Sequence, residues 1–385
     1  KLSVPARFRN TDAPYVLTEN LLIDGGAGGY LRDNSGNDFT RDAGRLQVDP
    51  GVVVKLWRSR IELERGMAQF IAEGMPNNRV IFTTLADNRF GGGGTFDTNG
   101  ASLDVRTAGD WGGIIVNAGA KASIDRAYIA YGGGETPIEG RFDNFSVVET
   151  HQGDLRLANS RIENNAASVA SSDRNGRGRN DASTIFVRGA QPIIVGNDFR
   201  SNAGAMISVN ANSLVEAENP DPGRTTGSID RFTAYDDNRG PLVRSNTTSY
   251  SGSGSLAGMN VRGEEITVES VWDDTDIVHV LRNEIIVQNF HTATGIRLQS
   301  SPNASLVVKL QGDSAGFTAA GYGLDIDDRI GGTVQVVGFP TKPVILTSLK
   351  DDTVGASYDP LGRLVTDTNG DGNATTAAPG DWRSL

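Results

Sequence analysis

Ser160-Arg161-Ile162-Glu163-Asn164-Asn165 and Asn197-Asp198-Phe199-Arg200-Ser201-Asn202 share one frame at a shift of 37 residues. Each has a polar residue, an apolar residue two later, and Asn three after that. Arg126-Ala127-Tyr128-Ile129-Ala130-Tyr131-Gly132 supplies a third copy, with Gly at the bend. The frame has a physical reading. A short strand buries one apolar side chain, and the chain then turns at Asn or Gly, which tolerate left-handed φ. An Asn amide at such a bend can hydrogen-bond the backbone of the next layer, so the same bond repeats layer upon layer. Three frames this close together point to a stacked coil, in which each repeat buries its core against its neighbours.

The surrounding chain agrees. Gly51-Val52-Val53-Val54-Lys55-Leu56, Val80-Ile81-Phe82-Thr83, Gly113-Ile114-Ile115-Val116 and Val344-Ile345-Leu346-Thr347 are short β-branched runs bounded by Gly, Pro, Asn or Asp. The best helical stretch, Ile61 to Glu73, is broken by Gly66 and reads equally well as two short strands. Gly makes up 48 of 385 residues, about 12 % against a usual ~7 %, which means many turns. A formal net charge of −11 leaves no basic excess to displace phosphate counterions, so nucleic acid is not an expected partner. There is no Cys, which excludes disulfides and thiolate chemistry. No apolar run has the ~18 residues of a membrane helix, so no membrane insertion is expected.

A longer repeat organises the chain. Thr11-Asp12-Ala13-Pro14-Tyr15-Val16-Leu17 matches Thr275-Asp276-Ile277-Val278-His279-Val280-Leu281 at a shift of 264. Arg45-Leu46-Gln47 matches Arg297-Leu298-Gln299, and Val53-Val54-Lys55-Leu56 matches Val307-Val308-Lys309-Leu310. The run from Val80 to Asp87 matches Val344 to Asp351, Asp97-Thr98-Asn99-Gly100 matches Asp367-Thr368-Asn369-Gly370, and Gly109-Asp110-Trp111 matches Gly380-Asp381-Trp382. The drift in shift places insertions at Gly25 to Gly44 in the first copy and between Gly355 and Thr366 in the second. The expected organisation is a module over residues 1–135, plain coils over 136–274, and a second copy over 275–385. The second copy stops three residues after its Gly-Asp-Trp, where the first runs into Ile114-Ile115-Val116. The expected partners are therefore the rest of a longer chain or neighbouring copies of itself.

These motifs resemble the right-handed parallel β-helix repeat proteins of bacterial surfaces and secretions. Proteins of that kind carry a strand, Thr-Ser-Leu-x-Asp-Asp, Asp-Thr-Asn-x-Asp-Gly, and Gly-Asp-Trp before another strand. Here the run is Leu346-Thr347-Ser348-Leu349-Lys350-Asp351-Asp352, then Asp367-Thr368-Asn369-Gly370-Asp371-Gly372, then Gly380-Asp381-Trp382. The resemblance implies an all-β solenoid with projecting loops and an extracellular or bacterial cell-surface setting. It implies no reaction.

Asp367-Thr368-Asn369-Gly370-Asp371-Gly372-Asn373 is the sharpest chemical signal. Oxygen ligands at alternate positions followed by Gly are what a Ca²⁺ loop needs, because alternate side chains converge on one point. Ala378 stands where an EF-hand has its closing Glu, so a further carboxylate must come from elsewhere, with Asp351 and Asp352 as candidates. An acidic surface turn without metal is the plainer alternative. The first copy keeps Asp87, Asp97 and Asn99 but has Ala101 and Ser102 in place of Asp and Gly, and is the weaker site. Trp111 and Trp382 read as packing devices that recur with the module, rather than as sugar-stacking platforms. His151, His279 and His291 are scattered without ligand spacing, and His279 aligns with Tyr15 as a packing position. Asn10-Thr11-Asp12-Ala13 resembles a polygalacturonase motif, yet its repeat partner Asp274-Thr275-Asp276-Ile277 makes it a module's opening turn.

The expected role is a structural or adhesive rod segment of a large extracellular protein, stiffened by calcium. The alternatives are a β-helix lyase or hydrolase acting on acidic glycans, or a non-catalytic carbohydrate-binding protein with surface polysaccharide as partner. A groove lined by exposed aromatics with Asp or Arg would favour the alternatives.

Overall fold

The computed structural model describes residues 1–26, 30–32, 34–40, 43–100, 104–168, 179–223, 239–250, 254–289, 295–320 and 332–385. Among them there is no α-helix; one 3₁₀ turn, Ala211–Ser213, interrupts an otherwise all-β chain. Ile61–Leu63 and Gln69–Glu73 are separate strands on either side of Gly66. Among the described residues no helix is long and apolar enough to cross a membrane. The chain forms two compact units, one chiefly Lys1–Phe186 with Arg200–Ala203, the other Val187–Phe199, Gly204–Gly223 and the described residues from Arg239 onward.

In the first unit, successive strands go to three different parallel sheets in turn. One sheet runs Pro5–Phe8, Arg45–Val48, Gln69–Glu73, Lys121–Asp125, Asp154–Ala158. The second runs Tyr15–Leu17, Val53–Leu56, Val80–Thr84, Ala127–Ala130, Arg161–Glu163, and the third Leu21–Ile23, Ile61–Leu63, Ile114–Val116, Val148–His151. Pairing in register stacks like on like. Leu46, Phe70, Ala122 and Leu155 are consecutive partners in the first sheet, and Val54, Phe82, Ile129 and Ile162 in the second, all buried. Phe70 and Phe82 bring two of these columns together, with ring centroids 5.9 Å apart. Each of the Val, Leu, Ile and Phe side chains contributes about 1.5–3 kcal/mol on burial, and a parallel sheet buried in this way selects β-branched runs.

The Asn frame is a hydrogen-bonded ladder. Asn165 accepts from Gly132 N–H at 2.8 Å through Oδ1 and donates through Nδ2 to Asn202 Oδ1, also at 2.8 Å. Asn202 in turn donates to Ile162 O at 2.8 Å. In the second unit Asn197 donates to Asn246 Oδ1 at 3.0 Å in the same manner.

The second unit is built of parallel strands as well. Gly204–Asn210, Ser255–Arg262, His279–Leu281, Val307–Leu310 and Ile345–Ser348 pair in one row. Glu269–Trp272, Gly295–Gln299 and Thr333–Val337 form another; Glu265–Ile266, Glu284–Val287, Gly312–Ala319 and Trp382–Ser384 form a third. Its pairings reproduce those of residues 5–116. Tyr15 lies opposite Val54 and His279 opposite Val308; Val53 opposite Ile81 and Val307 opposite Ile345; Arg45 opposite Gln69 and Arg297 opposite Gln335. Phe8 stacks on Tyr15 at 4.2 Å as Trp272 stacks on His279 at 5.3 Å. The expected insertions hold antiparallel hairpins, Tyr30–Arg32 with Asp38–Thr40 and Ser357–Tyr358 with Leu364–Val365.

Candidate metal site

Two turns build the acidic site of the second copy, and a buried lysine holds them. Lys309, in the middle of the strand Val307–Leu310, is fully buried. Its Nζ donates to Asp351 O at 2.7 Å and to Thr366 O at 2.8 Å. One ammonium therefore clamps the turn carrying Asp352 to the loop that opens with Asp367. Burial pulls the Lys309 pKa below the ordinary lysine value, against the opposing fields of Asp352, Asp351 and Asp367. The first copy uses the same strut, with buried Lys55 donating to Phe96 O at 2.7 Å.

Side-chain direction then separates the candidate ligands. Asp351 caps its own turn, accepting from Thr347 Oγ1 at 2.6 Å, Thr353 Oγ1 at 2.6 Å and Thr353 N–H at 3.0 Å. Asp352 points the other way. One carboxylate oxygen from each of Asp352, Asp367 and Asp371 lies within 4.8 Å of the other two, and this is the one such convergence of three ligand groups among the described residues. Oxygens bound to one Ca²⁺ at about 2.4 Å can stand at most about 4.8 Å apart, so the spacing fits.

Asp367 shapes the loop by accepting the N–H groups of Gly370, Asp371 and Gly372. Asn369 donates to Asp371 Oδ2 at 2.8 Å and so orients that carboxylate. Asn373 is exposed at the loop's end. Asp352 Oδ1 and Asp371 Oδ1 are enclosed by protein and have no hydrogen-bond partner. Burial, with the Asp367 carboxylate next in size, raises the Asp352 pKa; Lys309 opposes and Asp371 and Asp351 add to it. Three carboxylates against one ammonium leave a double negative charge that a divalent cation cancels. A carboxylate donor set with this spacing would suit Ca²⁺, which accepts varied geometry, better than Mg²⁺, which demands a smaller, near-octahedral shell.

In the first copy the described residues bring no three carboxylates together. Asp87 takes Thr83 Oγ1 at 2.6 Å, as Asp351 takes Thr347, and is also engaged by Arg89 through Nε and Nη2, each at 2.9 Å. The counterpart of Asp352 is Asn88, an uncharged amide. Asp97 and Asn99 are exposed, and Ala101 and Ser102 lie outside the described residues.

Other sequence signals resolve into packing. Trp111 is wholly buried and its indole N–H donates to Ala130 O at 2.8 Å. Asp110 accepts from Thr84 Oγ1 and Asp381 from Ser348 Oγ, both at 2.7 Å, which makes this Asp a strand-end brace in each copy. His279 is fully buried against Trp272, Asn10 closes a turn onto Asp12 N–H at 2.9 Å, and His291 lies outside the described residues.

One feature carries no motif at all. A cleft of about 580 Å³ opens in the first unit beside Trp57, Arg58, Asp110, Glu135 and Phe142. The signal that could have found it is a difference between the copies: Trp57-Arg58 stands where the second copy has Gln311-Gly312.

Comparison with family models, with curated proteins and with solved structures gives no match.

Proposed function

We propose that the chain is a right-handed parallel β-helix that serves as a Ca²⁺-stiffened structural segment of a bacterial surface or secreted protein. Three features support the helix. Successive strands visit three sheets in turn, strands pair in parallel with like side chains in register, and Asn ladders join one layer to the next. Right-handed crossovers are the rule for parallel connections, which gives the hand.

The observation that carries the calcium role is the meeting of Asp352, Asp367 and Asp371, with two of their enclosed oxygens unpartnered. These three residues would hold the ion; Lys309 and Asn369 would position them. A half-buried loop site lacking a closing Glu would suit the weak binding of extracellular modules, about 10⁻⁴–10⁻³ M, which is the reason for proposing a setting outside the cell. A cation there would tie the loop to the Asp351-Asp352 turn more firmly than Lys309 alone and so resist opening of the second unit.

The test is thermal unfolding with millimolar Ca²⁺ and with a chelator. An ion that binds only the folded chain adds about 2.7 kcal/mol at a hundredfold excess over Kd. Melting should fall in chelator and recover with Ca²⁺, and Asp371→Ala and Asp352→Asn should each remove most of that response. Identical melting curves in chelator and in 10 mM Ca²⁺ would refute the metal site.

A further inference from the structure

The cleft of the first unit is the strongest unassigned feature, because the repeat supplies its own control. Arg58 N–H donates to Asp110 O at 2.8 Å, and its counterpart Gly312 N–H donates to Asp381 O at the same 2.8 Å. The backbone bends in the left-handed region in both copies, with φ of 46° at Arg58 and 97° at Gly312. Gly meets that requirement without strain, whereas a side chain there costs about 1–2 kcal/mol. The fold does not need Arg at this place.

The side chains around Arg58 are likewise poised rather than packed. Trp57 is 38 % exposed and Phe142 54 % exposed, at the same cleft. Phe142 stands on the hairpin Glu135–Ile138/Arg141–Asn144. That hairpin is held firmly. The guanidinium of buried Arg60 donates to Thr136 Oγ1 at 3.0 Å, and Asn20 Nδ2 donates to Pro137 O at 2.7 Å. The floor is glycine backbone, where a Cβ on Gly134 would come within 1.8 Å of Gly109 O. Arg58 and Glu135 make no side-chain hydrogen bond or ion pair with any described residue, and Asp110 uses only Oδ2, leaving Oδ1 free.

We infer that this cleft binds an uncharged saccharide chain, with the sugar ring faces on Trp57 and Phe142. Aromatic faces offer apolar area to the C–H face of a sugar ring. Hydroxyls donate to the free carboxylate oxygens of Asp110 and Glu135 and accept from Arg58, so only a ligand rich in both donors and acceptors satisfies the whole rim. One guanidinium against two carboxylates disfavours uronates and phosphorylated ligands. A peptide strand is disfavoured as well, because the Gly109, Gly133 and Gly134 amides are already bonded to Tyr131, Gly112 and Trp111 carbonyls. The inference does not rest on the metal site, which involves other residues in the other unit.

The experiment is calorimetric titration of the intact chain with cellohexaose, maltohexaose and N-acetylchitohexaose, repeated with galacturonate hexamer and with a tyrosine-rich decapeptide. At least one neutral hexasaccharide should bind with Kd below 1 mM. Trp57→Ala should weaken it at least tenfold. Arg58→Gly should weaken it at least fivefold with an unchanged or higher Tm, since the second copy shows that Gly fits. The inference is overturned by three outcomes: no neutral hexamer binding below 10 mM, tighter binding of the galacturonate or the peptide, or full affinity retained in Arg58→Gly and Trp57→Ala.

Discussion

Asn202→Ala tests whether the ladder holds the layers together. Asn202 is almost fully buried, and three contacts end on its amide. Its Oδ1 accepts from Asn165 N–H at 3.1 Å and from Asn165 Nδ2 at 2.8 Å, and its Nδ2 donates to Ile162 O at 2.8 Å. Alanine removes all three. Each hydrogen bond contributes about 1 kcal/mol net, and each buried group left without a partner costs about 1–3 kcal/mol. Asn165 Nδ2 keeps a longer contact to Ile129 O at 3.4 Å, which softens one of the losses. The expected total is about 3–5 kcal/mol, a large part of the roughly 5–15 kcal/mol that holds an ordinary domain.

Asn202→Asp sharpens the test. Aspartate can still accept from Asn165 but offers Ile162 O no donor when ionised. Burial would raise its folded-state pKa above the unfolded value of about 3.9. The folded state then holds the extra proton between those two pKa values, so this variant loses stability as pH rises through that window. Urea unfolding followed by circular dichroism at pH 7 and pH 4 should rank wild type above Asn202→Ala above Asn202→Asp at neutral pH, with the last two converging in acid. Asn77→Ala, in an exposed turn, should change stability by less than about 0.5 kcal/mol. A cost below 1 kcal/mol for Asn202→Ala, or an aspartate variant as stable as wild type at pH 7, would refute the ladder's role.

Two further substitutions test buried charge. Burial holds His279 neutral with its pKa lowered to about 3; between that value and the unfolded ~6.5 only the unfolded chain takes the proton, so stability is lost as pH falls through that window. His279→Phe should remove that part of the difference in stability between pH 7 and pH 4.5, measured by urea titration at both. Asp87→Asn should cost about 3 kcal/mol at pH 7, because Arg89, which also donates to Tyr128 Oη at 2.8 Å, loses its carboxylate; a Tm within 1 °C of wild type would contradict this.

Much of the architecture was legible because repetition forces it. A side chain buried between layers must suit the layer above and the layer below, so Val54, Phe82, Ile129 and Ile162 recur as apolar residues at matching places. The Asn frame was legible for the same reason: an amide bonding to the next turn is useful only if the next turn has a partner. Direction within a turn was not legible. Asp351 and Asp352 are neighbours in sequence, yet one caps a turn through Thr347 while the other faces Asp367 and Asp371. Spacing cannot tell them apart, since the choice depends on where Lys309 pulls the turn. The lysines themselves were hidden by their setting, because a Lys inside Val-Val-Lys-Leu reads as the solvent-facing member of a strand. Only its carbonyl partners, in turns 41 residues away for Lys55 and 57 for Lys309, account for its burial.

The two copies also separate what the fold requires from what it merely permits. Where both keep a residue, as with Lys55 and Lys309 or Asp110 and Asp381, one bond is shared and that bond is structural. Where they differ at a common backbone geometry, the difference cannot be attributed to folding. Asn88 against Asp352 and Arg58 against Gly312 are such places. At the first, the second copy gains a carboxylate beside two others, against their mutual repulsion. At the second, the first copy accepts left-handed strain to present a guanidinium beside an exposed Trp. Each departure carries an energetic cost that the other copy avoids. Such costs persist where the departing side chain acts on something other than its own fold, which is why the proposed cation site is built around Asp352 and the proposed saccharide cleft around Arg58.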